Sequence, residues 1–222
     1  INEFQGLDLE MGFIDSFEDL MALEARMFRH IFSVLNAQYA DELEMHLGRG
    51  ARLPELESFP KIKFTEAKKL FADAHPGGQG EAALKEPDFA PEEEKWLGEY
   101  FKREYGSPIV FVTHYPSVKR PFYAMDDPEN PEYTLSFDML LNGLEVTTGG
   151  QRIHDYAEQV KKMQDRGMDI EEFEDYLTMH KYGMPPHGGM GLGLERIVEN
   201  ILGLETIKQA TAFPRDRDRL RP

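Results

Sequence analysis

Glycines at 189, 191 and 193 alternate with Met190, Leu192 and Leu194, and an acid and a base, Glu195 and Arg196, follow at once. Alternation at period two puts the three glycines on one face of a strand and the apolar residues on the other, toward a core. A strand face without Cβ atoms lets a flat ring lie against the backbone. It equally lets a second backbone pass close by with no ligand at all. Ile197, Val198, Ile201 and Leu202 then recur at helical spacing as far as Gly203, a C-terminal cap. Arg196 therefore stands at a strand-to-helix junction, where an arginine suits phosphate. Neither familiar phosphate loop is present: the Rossmann fingerprint needs glycine where Arg196 sits, and the P-loop needs a lysine and a hydroxyl after its last glycine.

A second constellation lies upstream, at residues 137–155, where two strand-like runs meet at Asn142 and Gly143, the strongest short-range hairpin signal. It carries one acid and one base that could face a site. The histidines offer less. His154 and His187 lack partners at metal-ligand or triad spacing, no HExxH pattern occurs, and His187 after Pro185 and Pro186 reads as a turn residue.

The elements that must hold these residues form an α+β pattern. Residues 4–14 read as a strand, and Ser16 with Asp19 forms a capping box for a helix whose stripe is Leu20, Leu23, Met27, Ile31 and Val34. Residues 42–60 read as loop, 65–73 as helix and 75–80 as loop. Pro91 followed by Glu92, Glu93 and Glu94 is a helix start, leading to Trp96, Leu97, Tyr100 and Phe101. Strand signals cluster at 109–113, 122–125, 134–141 and 144–148, and such serial strands with short links imply an antiparallel sheet. Helices follow at about 155–166 and 170–180.

The chain has 222 residues, 41% of them hydrophobic, which suits one domain with a good core. No apolar run reaches the length of a membrane span and no leader pattern precedes the first residues, so membrane insertion and secretion lack support. The absence of cysteine excludes disulfides and thiolate metal sites and fits a reducing cytoplasm. A net charge of −16 argues against broad nucleic-acid binding. The basic cluster Arg215, Arg217, Arg219 and Arg221 is offset in part by Asp216 and Asp218.

INEFQGLDLEM at residues 1–11, the hairpin at 137–155, GMGLGLER at 189–196 and FPRDRDRLRP at 213–222 closely resemble, in this order, the catalytic domain of class II aminoacyl-tRNA synthetases. Within that family the similarity is to aspartyl-tRNA synthetases of archaeal and eukaryotic type; it is dense in residues 1–14, 109–155 and 180–222 and thin from about 40 to 105. The resemblance implies activation of L-aspartate by ATP with magnesium, then transfer to the acceptor end of tRNA, in a cytoplasmic homodimer. GLGLER resembles motif 3, so Arg196 would contact ATP phosphates, with Gly193, Leu194 and Glu195 as backbone neighbours of the nucleotide. Phe4 matches the motif 2 aromatic that stacks on adenine. Glu145 matches the acid that holds magnesium, and Thr148 stands where the family commonly has serine, a hydroxyl near metal and amino acid. Period two puts Glu145 and Thr148 on opposite faces, so that match requires a bulge or a strand end near Thr147. Arg152 matches the arginine on the substrate's side-chain carboxylate, a task for a bidentate fork, with Asp8 as its charge partner and Arg120 lining the same pocket.

The resemblance also implies that residues 1–222 are a single catalytic domain, incomplete because motif 1, the first half of motif 2 and the anticodon-binding domain lie outside it, so that the chain alone binds ATP poorly and catalyses little. Two alternatives stay open. An asparaginyl-tRNA synthetase also carries an arginine at the Arg152 position; a paralogue making an adenylate without tRNA, or serving as a binding module, would suit the acidic charge.

Overall fold

Six strands, β1 (Gly6–Gly12), β2 (Lys61–Lys63), β3 (Ile109–Thr113), β6 (Ser136–Leu141), β7 (Leu144–Gln151) and β8 (His187–Gly193), form one sheet in the order β1-β8-β7-β6-β3-β2. Neighbours are antiparallel except β2 and β3, which run parallel. The two remaining strands, β4 (Asp126–Asp127) and β5 (Asn130–Thr134), make a separate ribbon. This computed structural model describes residues 1–56 and 59–221; the part of the loop reading that falls on 57 and 58 lies outside the described residues. The expected α+β architecture, a mostly antiparallel sheet flanked by helices, is the one observed.

Period two sorts each strand between two cores. On one face, Phe111, Phe137, Met139, Leu141, Val146, Met190 and Leu192 pack with Leu20, Met21, Ala25, Phe28 and Phe32 of α1 (Glu18–Gln38) and Ile197 and Ile201 of α8 (Leu194–Leu202). On the other, Val110, Val112 and Leu140 pack with Phe64 and Ala67 of α3 (Phe64–Ala74) and Leu97 and Phe101 of α5 (Pro91–Tyr105). These helices cover β2, β3, β6 and the start of β7 on that second face. The β1–β8–β7 part carries Asp8, Glu10, Thr148 and Gly191 into open clefts.

Local signals account for most boundaries. The Asp19 carboxylate accepts the Ser16 N–H at 3.1 Å, but Ser16 Oγ accepts the Glu18 N–H at 3.1 Å rather than that of Asp19, so half of the expected capping box forms, and α1 starts one residue later, with Phe17 as its N-cap. The buried line of α1 is centred on Leu20, Glu24, Phe28 and Phe32, one residue round from the predicted stripe, whose Leu23, Met27, Ile31 and Val34 are only half-buried. The β6–β7 turn uses Asn142 at φ 49° and Gly143 at φ 80°, as a two-residue hairpin of right-handed twist requires.

Four expectations differ. Residues 42–47 of the expected loop belong to α2 (Ala40–Leu47): a short helix whose single well-buried residue, Leu43, leaves no period to read. Residues 78–83 form α4 (Gly78–Ala83), made possible because Gly80 approaches the end of α3 so closely that a Cβ would lie 2.8 Å from Ala72 O. Residues 122–125 are a turn closed by Ala124 N–H to Pro121 O at 3.1 Å, with only a bridge from Ala124 to Arg152. The run 134–141 breaks at Leu135, whose N–H donates to Met125 O and whose carbonyl accepts from Gln151.

Glu24 is the one charged residue of α1 at 0% exposure; it accepts the Thr147 hydroxyl from β7 on Oε1, while Oε2 has no partner among the described residues. Burial, with the Asp138 charge adding to it and the Thr147 hydrogen bond opposing, pushes its pKa up to about 8. An unfolded glutamate titrates near 4.5, so the folded protein alone holds this proton between those values. The associated stability is complete below about 4.5 and drains away as pH rises through about 8. In thermal unfolding scans from about pH 5 to about pH 8.5, the Glu24→Gln variant, which keeps the shape and cannot ionise, is expected to lose less Tm than the unaltered protein.

Candidate functional site

β7 contains one residue more than its partner requires. Leu140 pairs with Glu145 but Met139 with Thr147, so Val146 is a bulge. Val146 and Thr147 consequently both face the α1 core, and Glu145 and Thr148 both face the open part of the sheet, where the Thr148 hydroxyl donates to Glu145 Oε1 at 3.1 Å. The required bulge is present.

Arg196, in the first turn of α8, donates from Nη1 to the Glu145 carbonyl at 2.8 Å and lies 3.5 Å from its carboxylate. The neighbouring Glu195 is buried, and both its oxygens accept the Gln5 N–H at 3.0 Å, while Leu194 N–H donates to Gln5 O at 3.0 Å. Its side chain is thus committed to clamping the segment that carries Phe4. That ring is 70% exposed and lines a cleft of about 740 Å³ together with Gly6, Gly193, Glu195, Arg196 and Glu145.

Asp8, Thr148 and Gly191 connect this cleft to a cavity of about 550 Å³ walled by Arg120, Tyr123, Arg152 and Glu10. Asp8 is not the partner of Arg152. The Arg152 Nε lies 3.3 Å from Glu10 Oε1, and its guanidinium sits 4.7 Å over the Tyr123 ring. Register explains the exchange: Glu10 stands opposite Gly189 and Asp8 opposite Gly191, one step further along β8 toward the cleft. Arg120 is almost buried, paired with Asp138 at 2.7 Å and stacked 4.0 Å over Tyr115; its Nε and Asp138 Oδ1 have no hydrogen-bond partners among the described residues.

The glycines divide between the two explanations the sequence left open. A Cβ on Gly189 would lie 2.7 Å from Leu9 O and run into the Glu10 carboxylate, and one on Gly188 would lie 2.7 Å from Gly150 O, so these positions serve close strand packing. A Cβ on Gly191 would meet Asp8 at 2.9 Å, and one on Gly193 would find only the Arg196 side chain at 3.7 Å. The ligand-accessible part of the glycine face is therefore its α8 end.

Carboxylates converge beside it. Glu94 of α5 is half-buried, and burial, with Glu145 and Asp138 adding repulsion, lifts its pKa to about 7. Glu145 is raised by burial and then by Asp138, with Arg196 opposing. Among the described residues no three His, Cys, Asp or Glu side chains are arranged as a metal site. A carboxylate and a hydroxyl side by side, Glu145 and Thr148, are nevertheless hard oxygen donors of the kind magnesium uses when phosphate and water complete its shell.

His187 Nδ1 donates to Pro185 O at 3.0 Å and shapes the turn as read; His154 Nδ1 is buried without a partner among the described residues. Sequence reasoning did not single out Glu10, Tyr123, Asp138 or Glu94 for roles here. Period two from Asp8 reaches Glu10, and Asp138 is the one acid in an otherwise apolar strand. Nothing local marks Glu94, whose approach to β7 is tertiary.

The family model of class II tRNA synthetases (D, K and N) matches residues 1–217. The chain belongs to this family. Among relatives of this class II synthetase chain, the aspartate–tRNA(Asp/Asn) ligase of Thermus thermophilus is 43% identical over 100% of the chain and 50% of its own length. The aspartyl tRNA synthetase of Entamoeba histolytica superposes with a TM-score of 0.86 at 32% identity, covering 99% of this chain and 44% of that one. The asparaginyl-tRNA synthetase of Pyrococcus horikoshii complexed with asparaginyl-adenylate gives 0.85 at 30%, covering 99% and 49%. The synthetase chain thus spans about half the length of the curated relatives it matches.

The glycines of this synthetase separate by their neighbours. Gly189→Ala is expected to destabilise by about 1–3 kcal/mol because rigid backbone must shift, whereas Gly193→Ala, at φ −85°, is expected to leave the denaturation midpoint nearly unchanged. Urea unfolding of both variants checks the contrast.

Proposed function

We propose that the natural protein activates L-aspartate with ATP, forming aspartyl-adenylate and pyrophosphate, and transfers the aspartyl group to the acceptor end of a tRNA. The observation that carries this reading is the junction of the two spaces at Asp8, Thr148 and Gly191, with an arginine at the far end of each. Arg152 offers its terminal guanidinium nitrogens to a side-chain carboxylate, and Arg196 faces the triphosphate. Phe4 and the open Gly193 backbone take the adenine. The substrate's own carboxylate oxygen attacks the α-phosphorus and pyrophosphate leaves, so no protein nucleophile is required. The protein's task is to orient two anions and offset their repulsion.

Glu145 and Thr148 would hold a magnesium ion, which when bound neutralises phosphate charge; Arg196 fixes the Glu145 backbone, and Asp138 holds Arg120 against the cavity wall. Asp8, between the two spaces, suits the substrate's ammonium group. The same reading takes residues 1–222 as one catalytic unit that works in the cytoplasm as a homodimer. The names of relatives favour aspartate, and the asparaginyl neighbour keeps asparagine as the second reading.

Amino-acid-dependent ATP–pyrophosphate exchange by the full-length natural protein tests this. Exchange is expected with aspartate and not asparagine, and Arg152→Ala is expected to lower kcat/KM for aspartate by about a hundredfold or more, the loss of a charge-assisted fork. Exchange with asparagine alone would select the second reading, and exchange with neither would remove the synthetase assignment. Gly193→Ala, which leaves folding intact, is expected to raise KM for ATP and not for aspartate.

A further inference from the structure

The wall of the amino-acid cavity formed by Arg120, Pro121, Tyr123 and Ala124 belongs to a loop without regular pairing. The carbonyls of Ser117, Arg120, Phe122 and Ala124 point away from the cavity, toward α6 (Tyr156–Asp165), whereas Tyr123 O accepts the Ile153 N–H at 2.9 Å. Three side chains at spacings of three and four, Gln159, Lys162 and Arg166, meet them in turn. Gln159 Nε2 donates to Phe122 O at 3.1 Å, and Lys162 Nζ to Ala124 O at 2.6 Å. The two Arg166 nitrogens donate to Arg120 O and Ser117 O, each at 2.7 Å. Lys162 also pairs with Asp126 at 2.6 Å, and the same Asp126 oxygen accepts the Ser117 hydroxyl, so the loop's two ends are tied together.

Buried carbonyls need partners in any protein. Here the backbone of residues 151–153 ties the loop on one side, the side-chain donors to four of its carbonyls all come from one helix, and the opposite side of each gripped segment carries a cavity residue. Arg120, pinned outward by Arg166, reaches Asp138 across the sheet; Tyr123, between the carbonyls held by Gln159 and Lys162, carries the ring under Arg152. The separation between the two arginines is thus set in part from outside the cavity, beside the backbone bonds from 151–153.

We infer that α6 is a positioning element for the amino-acid cavity: Gln159, Lys162 and Arg166 fix the loop at 117–126 and thereby the spacing of Arg120 from Arg152, which decides the size and charge of the side chain accepted. This rests on the reading of the cavity as an amino-acid site. The grip itself does not.

The test uses Arg166, which is exposed at the end of α6 and can be removed without opening a core. In the full-length natural protein, Arg166→Ala is expected to raise KM for aspartate about tenfold in pyrophosphate exchange and to leave KM for ATP within about twofold. Amide hydrogen exchange within 117–126 is expected to speed up while Tm stays within about 2 °C. Arg166→Lys, which reaches one carbonyl rather than two, is expected to recover part of each effect. An unchanged KM for aspartate, or both KM values moving together with a fall in Tm, would overturn the inference. No aspartate-dependent exchange by the unaltered protein would be a failure of the synthetase reading. In that case unchanged protection of 117–126 in Arg166→Ala still overturns the grip, and its loss upholds it.

Discussion

Val146 is the extra residue on which the site depends. Without it, period two would send either Glu145 or Thr148 into the core of α1, and the pair at 3.1 Å could not form. The bulge also leaves two successive side chains, Val146 and Thr147, on the core face. One is apolar and fully absorbed there; the other is a hydroxyl that needs a partner, and Glu24 supplies it from the opposite helix. The only fully buried carboxylate of α1 is therefore explained by the geometry of the cleft on the far side of the sheet.

The cleft in turn concentrates charge of both signs within a strongly acidic chain. Burial, with repulsion among Glu94, Asp138 and Glu145 adding to it, raises Glu94 and Glu145 above the ordinary glutamate value, and Arg120 and Arg196 stand against them. Such an arrangement favours occupation by a cation together with an anion, the combination that the proposed ATP and magnesium would supply. The net charge of −16 then describes the outer surface more than the site, where arginines occupy both ends.

Much of this was legible in the residues. The glycine alternation, the Asn142–Gly143 hairpin, the Asp19 carboxylate on the Ser16 N–H and the Pro91 helix start are local rules, each obeyed because its consequences are settled within a few residues. The need for a bulge could be deduced, though not its position, since that depends on which residue β6 declines to pair. What failed was tertiary. Asp8 and Glu10 are equivalent in pattern, and only the register of β1 against β8 gives Arg152 to Glu10. The turn at 122–125 reads as a strand because Phe122 and Tyr123 have strand-like types; its outer carbonyls are satisfied instead by a helix more than thirty residues later. The resemblance implies Glu195 only as a backbone neighbour of the nucleotide; that its carboxylate holds Gln5 is a tertiary fact the sequence does not show.

A crystal structure of the full-length protein with a non-hydrolysable aspartyl-adenylate analogue tests most directly whether one face of the sheet, prepared by the Val146 bulge, receives both substrates. The expected result has the adenine between Phe4 and Gly193, the phosphate mimic against Arg196 with Glu145 and Thr148 on its metal side, and the side-chain carboxylate on Arg152. Density for the analogue elsewhere, or a bound state in which Glu145 and Thr148 face opposite sides of β7, would contradict it.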